Sequence, residues 1–306
     1  MKRNDVVLAF FGLVLGAALS SCGDGSSLPA DGDSRIFDHV HATRSALTAL
    51  SDADILLAKD ALHIGYGHTS HGSQITDGLN SLDAFMGGTG LYSTNSSGAG
   101  GALHLYEGDG YGSGDLDHDA GYYPDWTAET EAFLGPANSD GRGAAHPEFN
   151  VIMWSWCGQL SSRSEEDVRT QYLEPMAEFE AEYPGIAFVY MTGHADGSGL
   201  EGALHRNNQI IRAWCAERGS WLFDFYDIEC YDSDGAYYGD KHVTDACDYE
   251  DETGTGPVTR NWALEWQDSH PGEWYECGSA HSQPVNANRK AYAAWNLFAA
   301  LARDIQ

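Results

Sequence analysis

Four short apolar runs, at residues 62–66, 150–154, 186–191 and 221–225, punctuate this 306-residue chain, and between and after them lie segments whose apolar side chains recur at helical spacing. Those segments fall at roughly 71–86, 165–183, 200–218 and 286–303. Their stripes are Ile75, Leu79, Leu82 and Phe85; Val168, Tyr172, Met176 and Phe179; Leu204, Ile211, Trp214 and Cys215; and Ala291, Trp295, Phe298 and Leu301. Pro175 offers no backbone N–H, so the second helix must kink or restart there. Strands alternating with helices specify a mostly parallel sheet covered on both faces, a three-layer α/β domain. Residues 36–306 are enough for one such domain with a full core, and no repeat or second linker divides them.

In open parallel sheets the ligand crevice lies at the carboxyl ends of the strands. Each run here ends in polar residues: Gly67-His68-Thr69-Ser70, then Ser155-Trp156-Cys157-Gly158-Gln159, then Thr192-Gly193-His194-Ala195-Asp196, and lastly Asp224 with Asp227 and Glu229 beyond. Polar residues also cap helices after strands, but four such ends in succession, two carrying histidine, favour a shared site. Ser70 stands where a strand turns into a helix, at the positive end of the helix dipole, where free N–H groups can receive an oxyanion. Ser73 competes as nucleophile but falls inside the first helical turn and points less directly into the crevice. His281 precedes the last helix, whose start is marked by Pro284 and Asn286. A Ser70–His281 pair is chemically sensible: the imidazole takes the hydroxyl proton and returns it to the leaving group.

The N-terminus carries Lys2 and Arg3, then an apolar stretch at 6–19 too short for a comfortable membrane span, which reads as an export signal over residues 1–21. Leu19-Ser20-Ser21-Cys22 resembles the lipobox of bacterial lipoproteins, which implies lipidation of Cys22 and a place in the cell envelope, periplasmic or exposed at the outer membrane or cell surface. Residues 22–35 form a polar tether, and the membrane is expected as a partner through the lipid anchor alone. The whole chain has 16 basic and 46 acidic residues; removal of Lys2, Arg3 and Asp5 with the signal leaves 14 and 45, a net charge of −31. Such a field repels nucleic acid and anionic lipid.

By order of elements the mature domain resembles the SGNH, or GDSL-like, hydrolase superfamily, with its flavodoxin-like sheet. In that family a serine follows the first strand, a Gly-x-Asn element follows a middle strand and a histidine lies before the last helix. Here His68-Thr69-Ser70 replaces Gly-Asp-Ser, and Gly158-Gln159 falls where the oxyanion-hole element would. The acid three residues before the histidine is absent, since that position is Gly278. Asp268-Ser269-His270-Pro271 rivals the block at His281, but Pro271 and Gly272 lead into more loop. The resemblance implies an esterase with Ser70 as nucleophile, His281 as base and acid, Gly158 and Gln159 at the oxyanion, and His68, Thr69, His71, His194 and Asp196 lining the pocket.

Other readings coexist with this one. His68, His71, His194 and His281, with Asp196 beside them, could hold zinc that activates water. The serine mechanism needs no cofactor. Asp232-Ser233-Asp234-Gly235, among the eleven carboxylates of 224–252, echoes a calcium loop, although a solvated acidic loop explains it as well. Residues 87–148 read as a long glycine-rich insertion whose Tyr106, Tyr111, Tyr122, Tyr123 and Trp126 could stack on sugar rings or pack the loop down, with Asp125 and Glu129 in reach of the site. Export permits disulfides: Cys230 with Cys247 and Cys157 with Cys277 are the candidate bridges, and Cys215 the free thiol. Cys157, if unbridged, is an alternative nucleophile. These observations combine into an exported hydrolase of acyl esters on a glycan or other small extracellular ester, with a metal-dependent hydrolase or a non-catalytic glycan-binding lipoprotein as the alternatives.

Overall fold

Val151–Trp154 is buried at every position, and its side chains divide between two cores: Ile152 and Trp154 enter one, Val151 and Met153 the other. A strand apolar on both faces belongs in the middle of a covered parallel sheet. The computed structural model describes residues 35–108, 115–251 and 258–305, all within one unit, Ser34–Gln306. Its strands are β1 (Ile36–Phe37), β2 (His63–Gly67), β3 (Thr94–Asn95), β4 (Leu103–Glu107), β5 (Val151–Trp154), β6 (Ala187–Met191) and β7 (Trp221–Phe223). These make a seven-stranded sheet in the order β1-β7-β6-β5-β2-β4-β3, with every pairing parallel. The inner run β4-β2-β5-β6-β7 is compatible with a flavodoxin-like sheet, whose direction of winding reverses between β2 and β5.

The helices are α1 (Arg44–Ala49), α2 (Asp52–Ala61), α3 (Ser73–Phe85), α4 (Asp125–Leu134), α5 (Glu165–Val168), α6 (Glu174–Glu182), α7 (Ala203–Arg218), α8 (Phe225–Glu229), α9 (Trp262–Ser269) and α10 (Pro284–Ile305). On one face α10 packs against α2 and α3 and buries Ala291, Trp295, Phe298 and Leu301, the expected stripe. Gly78 of α3 allows this approach, because a Cβ there would sit 2.3 Å from the Ala287 carbonyl oxygen. On the other face, α4, α6 and α7 cover the core that contains Trp126, Phe179 and Ile211. Between α5 and α6 the chain makes a π turn over Arg169–Leu173, which absorbs the missing donor of Pro175 in the first turn of α6.

Residues 87–148 are not a bare insertion. They contain β3, β4 and α4, which extend the sheet beyond β2 and cover it. Trp126 is fully buried, so its ring packs the domain rather than faces a ligand, while Tyr106 is half-buried and stacks on Phe133. Tyr111 lies outside the described residues, as do the signal, Cys22 and the tether as far as Ser34. The acidic segment also gains order: Asp248–Asp251 pairs antiparallel with Val258–Asn261 as a two-stranded ribbon, β8 and β9. Asp232 accepts from the backbone N–H groups of Asp234 and Ala236 and from Tyr238, which ties the calcium-like turn together, and Asp234 accepts from Trp266 Nε1 of α9, which holds the turn against that helix. Among the described residues no helix is long and apolar enough to cross a membrane.

Candidate active site

The loops after β2 and β5 meet at the reversal point of the sheet. Gly67 and Gly72 let the β2 loop lie flat there: a Cβ on the first would sit 2.2 Å from the Trp154 ring, and on the second 2.4 Å from Ser155 Oγ. The close approach brings His71 to Cys157, with Nδ1 3.0 Å from Sγ. On its far side the same ring places Nε2 3.0 Å from Oδ2 of Asp245, which arrives from the acidic segment. Thiol, imidazole and carboxylate therefore stand in line.

Electrostatics reinforce this geometry. Burial opposes a charged His71, but the hydrogen bonds to Asp245 and Cys157 outweigh it and raise the imidazole to about 9. Burial also opposes a thiolate at Cys157, yet the hydrogen bond and positive charge of His71, with further hydrogen bonds from Thr69 and Ser70, bring it down to about 7. The same imidazole, with His194, holds Asp245 below the usual carboxylate range against the effect of its burial. The other thiols go the opposite way: burial lifts Cys247 and Cys277 to about 12 and pushes Cys215 and Cys230 far above the ordinary range. Among the five, Cys157 alone is poised as a thiolate near neutral pH.

His71 is also the middle of a stack of three imidazoles. His194 lies parallel to it at 3.7 Å, and His281 covers the opposite face at 4.4 Å. The Ala195 carbonyl accepts from His194 Nδ1 at 2.8 Å, which leaves Nε2 of the neutral ring bare. Burial and the neighbouring His71 both lower the pKa of His194. His281, with φ at 64°, reaches over the turn and sets Nε2 3.0 Å from Ser70 Oγ, and that hydroxyl lies 3.8 Å from Cys157 Sγ. The expected Ser70–His281 contact is thus present, and among the described residues no carboxylate bonds the His281 ring. His270 instead stacks on Trp266 and bonds its carbonyl.

Several expected members are placed elsewhere. His68 turns away from His71 and bonds Glu107 at 2.9 Å, so the H-x-x-H pair does not converge on one ion. Asp196 is exposed and accepts from Ser198, while Asp245 takes the place foreseen for it. Ser73 donates to the Ser70 carbonyl and serves the turn. The Gln159 amide donates to the buried Asp119, which also accepts from Thr69 at 2.5 Å, so it is committed away from an oxyanion. Gly158 lies beside His194 Nε2. Glu129 holds His118, Asp125 opens α4, Asp224 is claimed by Arg212 and Thr192, and Asp227 by His39. Neither expected disulfide forms: Cys157 engages His71, Cys277 faces the Asn288 amide, Cys247 lies 3.3 Å from Ser282 Oγ, and Cys230 is packed in the core.

His71, His194 and Asp245 bring one ligand atom each to within 4.8 Å of one another. The two rings, however, are only 4° from parallel, so their in-plane lone pairs run side by side instead of meeting at one point. Comparison of the chain with family models, with curated proteins and with solved structures gives no match.

Proposed function

We propose that the protein is a hydrolase of acyl esters whose nucleophile is Cys157. The alignment of Cys157, His71 and Asp245 carries this reading, because it supplies a nucleophile, a proton carrier and an orienting acid in contact. The Cys157 thiolate attacks the ester carbonyl, and the tetrahedral intermediate expels the alcohol as His71 Nδ1 gives it a proton. The resulting thioester is attacked by water, whose proton returns to His71, and the acid is released. Asp245 keeps the ring turned with Nδ1 toward the sulfur. Ser70, held by His281, adds a hydroxyl beside the reacting sulfur and acts as a second polar partner instead of the primary nucleophile.

An acylated extracellular glycan is the substrate class that fits the surroundings best. Gly121 packs on Gln159 and Asp119 bonds Thr69, so the exposed Tyr122 and Tyr123 directly follow a segment anchored at the site. Such rings offer faces to sugars. The signal-like N-terminus and Cys22 would deliver the enzyme to the cell envelope as a lipoprotein. Zinc held by His71, His194 and Asp245 is the second reading, favoured by the grouping of their ligand atoms, and requires the stacked rings to reorient.

Hydrolysis of acetyl and aryl esters by the purified protein, with elemental analysis, tests both. Cys157→Ser is expected to lose activity by about 10³-fold, and Ser70→Ala to retain a measurable share. Unchanged turnover in Cys157→Ser overturns the thiol mechanism, and stoichiometric zinc whose removal abolishes activity selects the metal one.

A further inference from the structure

Beneath the imidazole stack lies a pair of charges that the acyl-transfer steps never touch. Lys290 Nζ of α10 and Glu229 Oε1 of α8 meet at 2.7 Å, and both side chains are completely buried. Glu229 Oε2 accepts the backbone N–H of Ala195 at 2.6 Å, the residue that follows His194. Lys290 also donates to Gln74 Oε1, and Gln74 Nε2 donates at 2.6 Å to the carbonyl of Ala280, the residue that precedes His281. Asn286 closes the group by donating to Glu229 and to Ser282.

Packing alone does not account for these charges. Desolvating an ion pair is costly, and apolar side chains of similar volume commonly fill such a space as well or better. What the pair has and an apolar pair lacks is directed reach into two loops, one behind each outer ring of the stack. The His281 backbone needs such a hold, since a non-glycine residue at φ 64° persists only where its surroundings over-determine it. We propose that Glu229, through the Ala195 N–H, and Lys290, through Gln74, are positioning residues that press His194 and His281 against the two faces of His71 and so aim its Nδ1 at Cys157. The inference rests on the reading of Cys157 as the nucleophile. The groups facing His71 are Cys157, Asp245, His194 and His281, with Glu229 acting on it by charge.

The test is the pH dependence of Cys157 alkylation by iodoacetamide, read by peptide mass spectrometry on the full chain. The wild type is expected to react with a midpoint near pH 7. In Glu229→Leu/Lys290→Met, an apolar pair of similar volume, the midpoint should rise by about one pH unit, equivalent to roughly fivefold slower reaction at pH 7. Gln74→Leu, which cuts only the tie to Ala280, should move it in the same direction by less. Circular dichroism reports folding, and if the double variant does not fold, Gln74→Leu decides. A low wild-type midpoint that neither folded variant shifts overturns the positioning role alone. A wild-type midpoint in the ordinary thiol range overturns the nucleophile reading and this inference with it.

Discussion

A histidine that touches a thiol on one side and a carboxylate on the other is most useful while it holds its proton and the thiol has lost its own. Cys157 ionises as pH rises through about 7, and His71 gives up its proton only as pH rises through about 9. Activity should therefore climb on the acid side through the first value and fall on the alkaline side through the second. In a profile of kcat/KM against pH both limbs belong to the free enzyme. Asp245→Asn removes the charge that holds the His71 proton, so the alkaline limb should move down, the acid limb up, and activity at pH 8 fall by about 10²-fold or more. An unmoved alkaline limb in that variant would count against Asp245 as the orienting acid. The sequence made His71 and Cys157 visible, since both follow apolar strands, but it offered no reason to pair them. Asp245 was hidden more deeply. It stands 174 residues from His71, among eleven carboxylates of a segment with no local pattern, and reaches the ring because that segment pairs with the loop after β6, through a bridge between Thr244 and Asp196 and the Gly197 N–H donating to the Val243 carbonyl.

At the scale of elements, legibility followed burial. β2, β5, β6 and β7 lie in the interior of the sheet and read directly as apolar runs, and the long amphipathic helices read from their stripes. β1 and β3 are two-residue edge strands, and β4 alternates Leu103 and Leu105 with polar or half-exposed neighbours, so none forms a continuous apolar run. The glycines around β3 drew residues 87–148 toward a loop reading, although β4 and α4 complete the sheet there. The short α2 had a local signal, the capping box in which Ser51 and Asp54 bond each other's backbone. One element contact can be tested alone. Gly78→Ala would make α3 a better helix by about 1 kcal/mol. The new Cβ, however, would meet the Ala287 carbonyl oxygen at 2.3 Å, and overpacking of that kind costs about 1–3 kcal/mol. The steric effect should win, lowering the urea midpoint while leaving the slope of unfolding unchanged. A raised midpoint would mean that α3 and α10 separate more easily than their packing implies.

For the whole molecule the governing quantities are the reversal of the sheet between β2 and β5 and the net charge of −30. The first explains why the site forms where it does: loops leaving neighbouring strands in opposite directions open a crevice, and this one receives Cys157 from β5, Ser70 and His71 from β2, and His194 from β6. The second decides what can approach. Asp245, Asp119 and Glu107 add local carboxylates to the general negative field, with His71 as the charge that opposes them. A neutral acetyl ester meets no long-range barrier, whereas an ester carrying a carboxylate is repelled until salt shortens the reach of the field to about 10 Å at 0.1 M. Raising sodium chloride from low millimolar concentration to about 0.5 M should then increase kcat/KM severalfold for the anionic ester and leave the neutral one nearly unchanged. Equal salt responses for the two esters would show that the field at the crevice is set by His71 and its partners and not by the acidic surface as a whole.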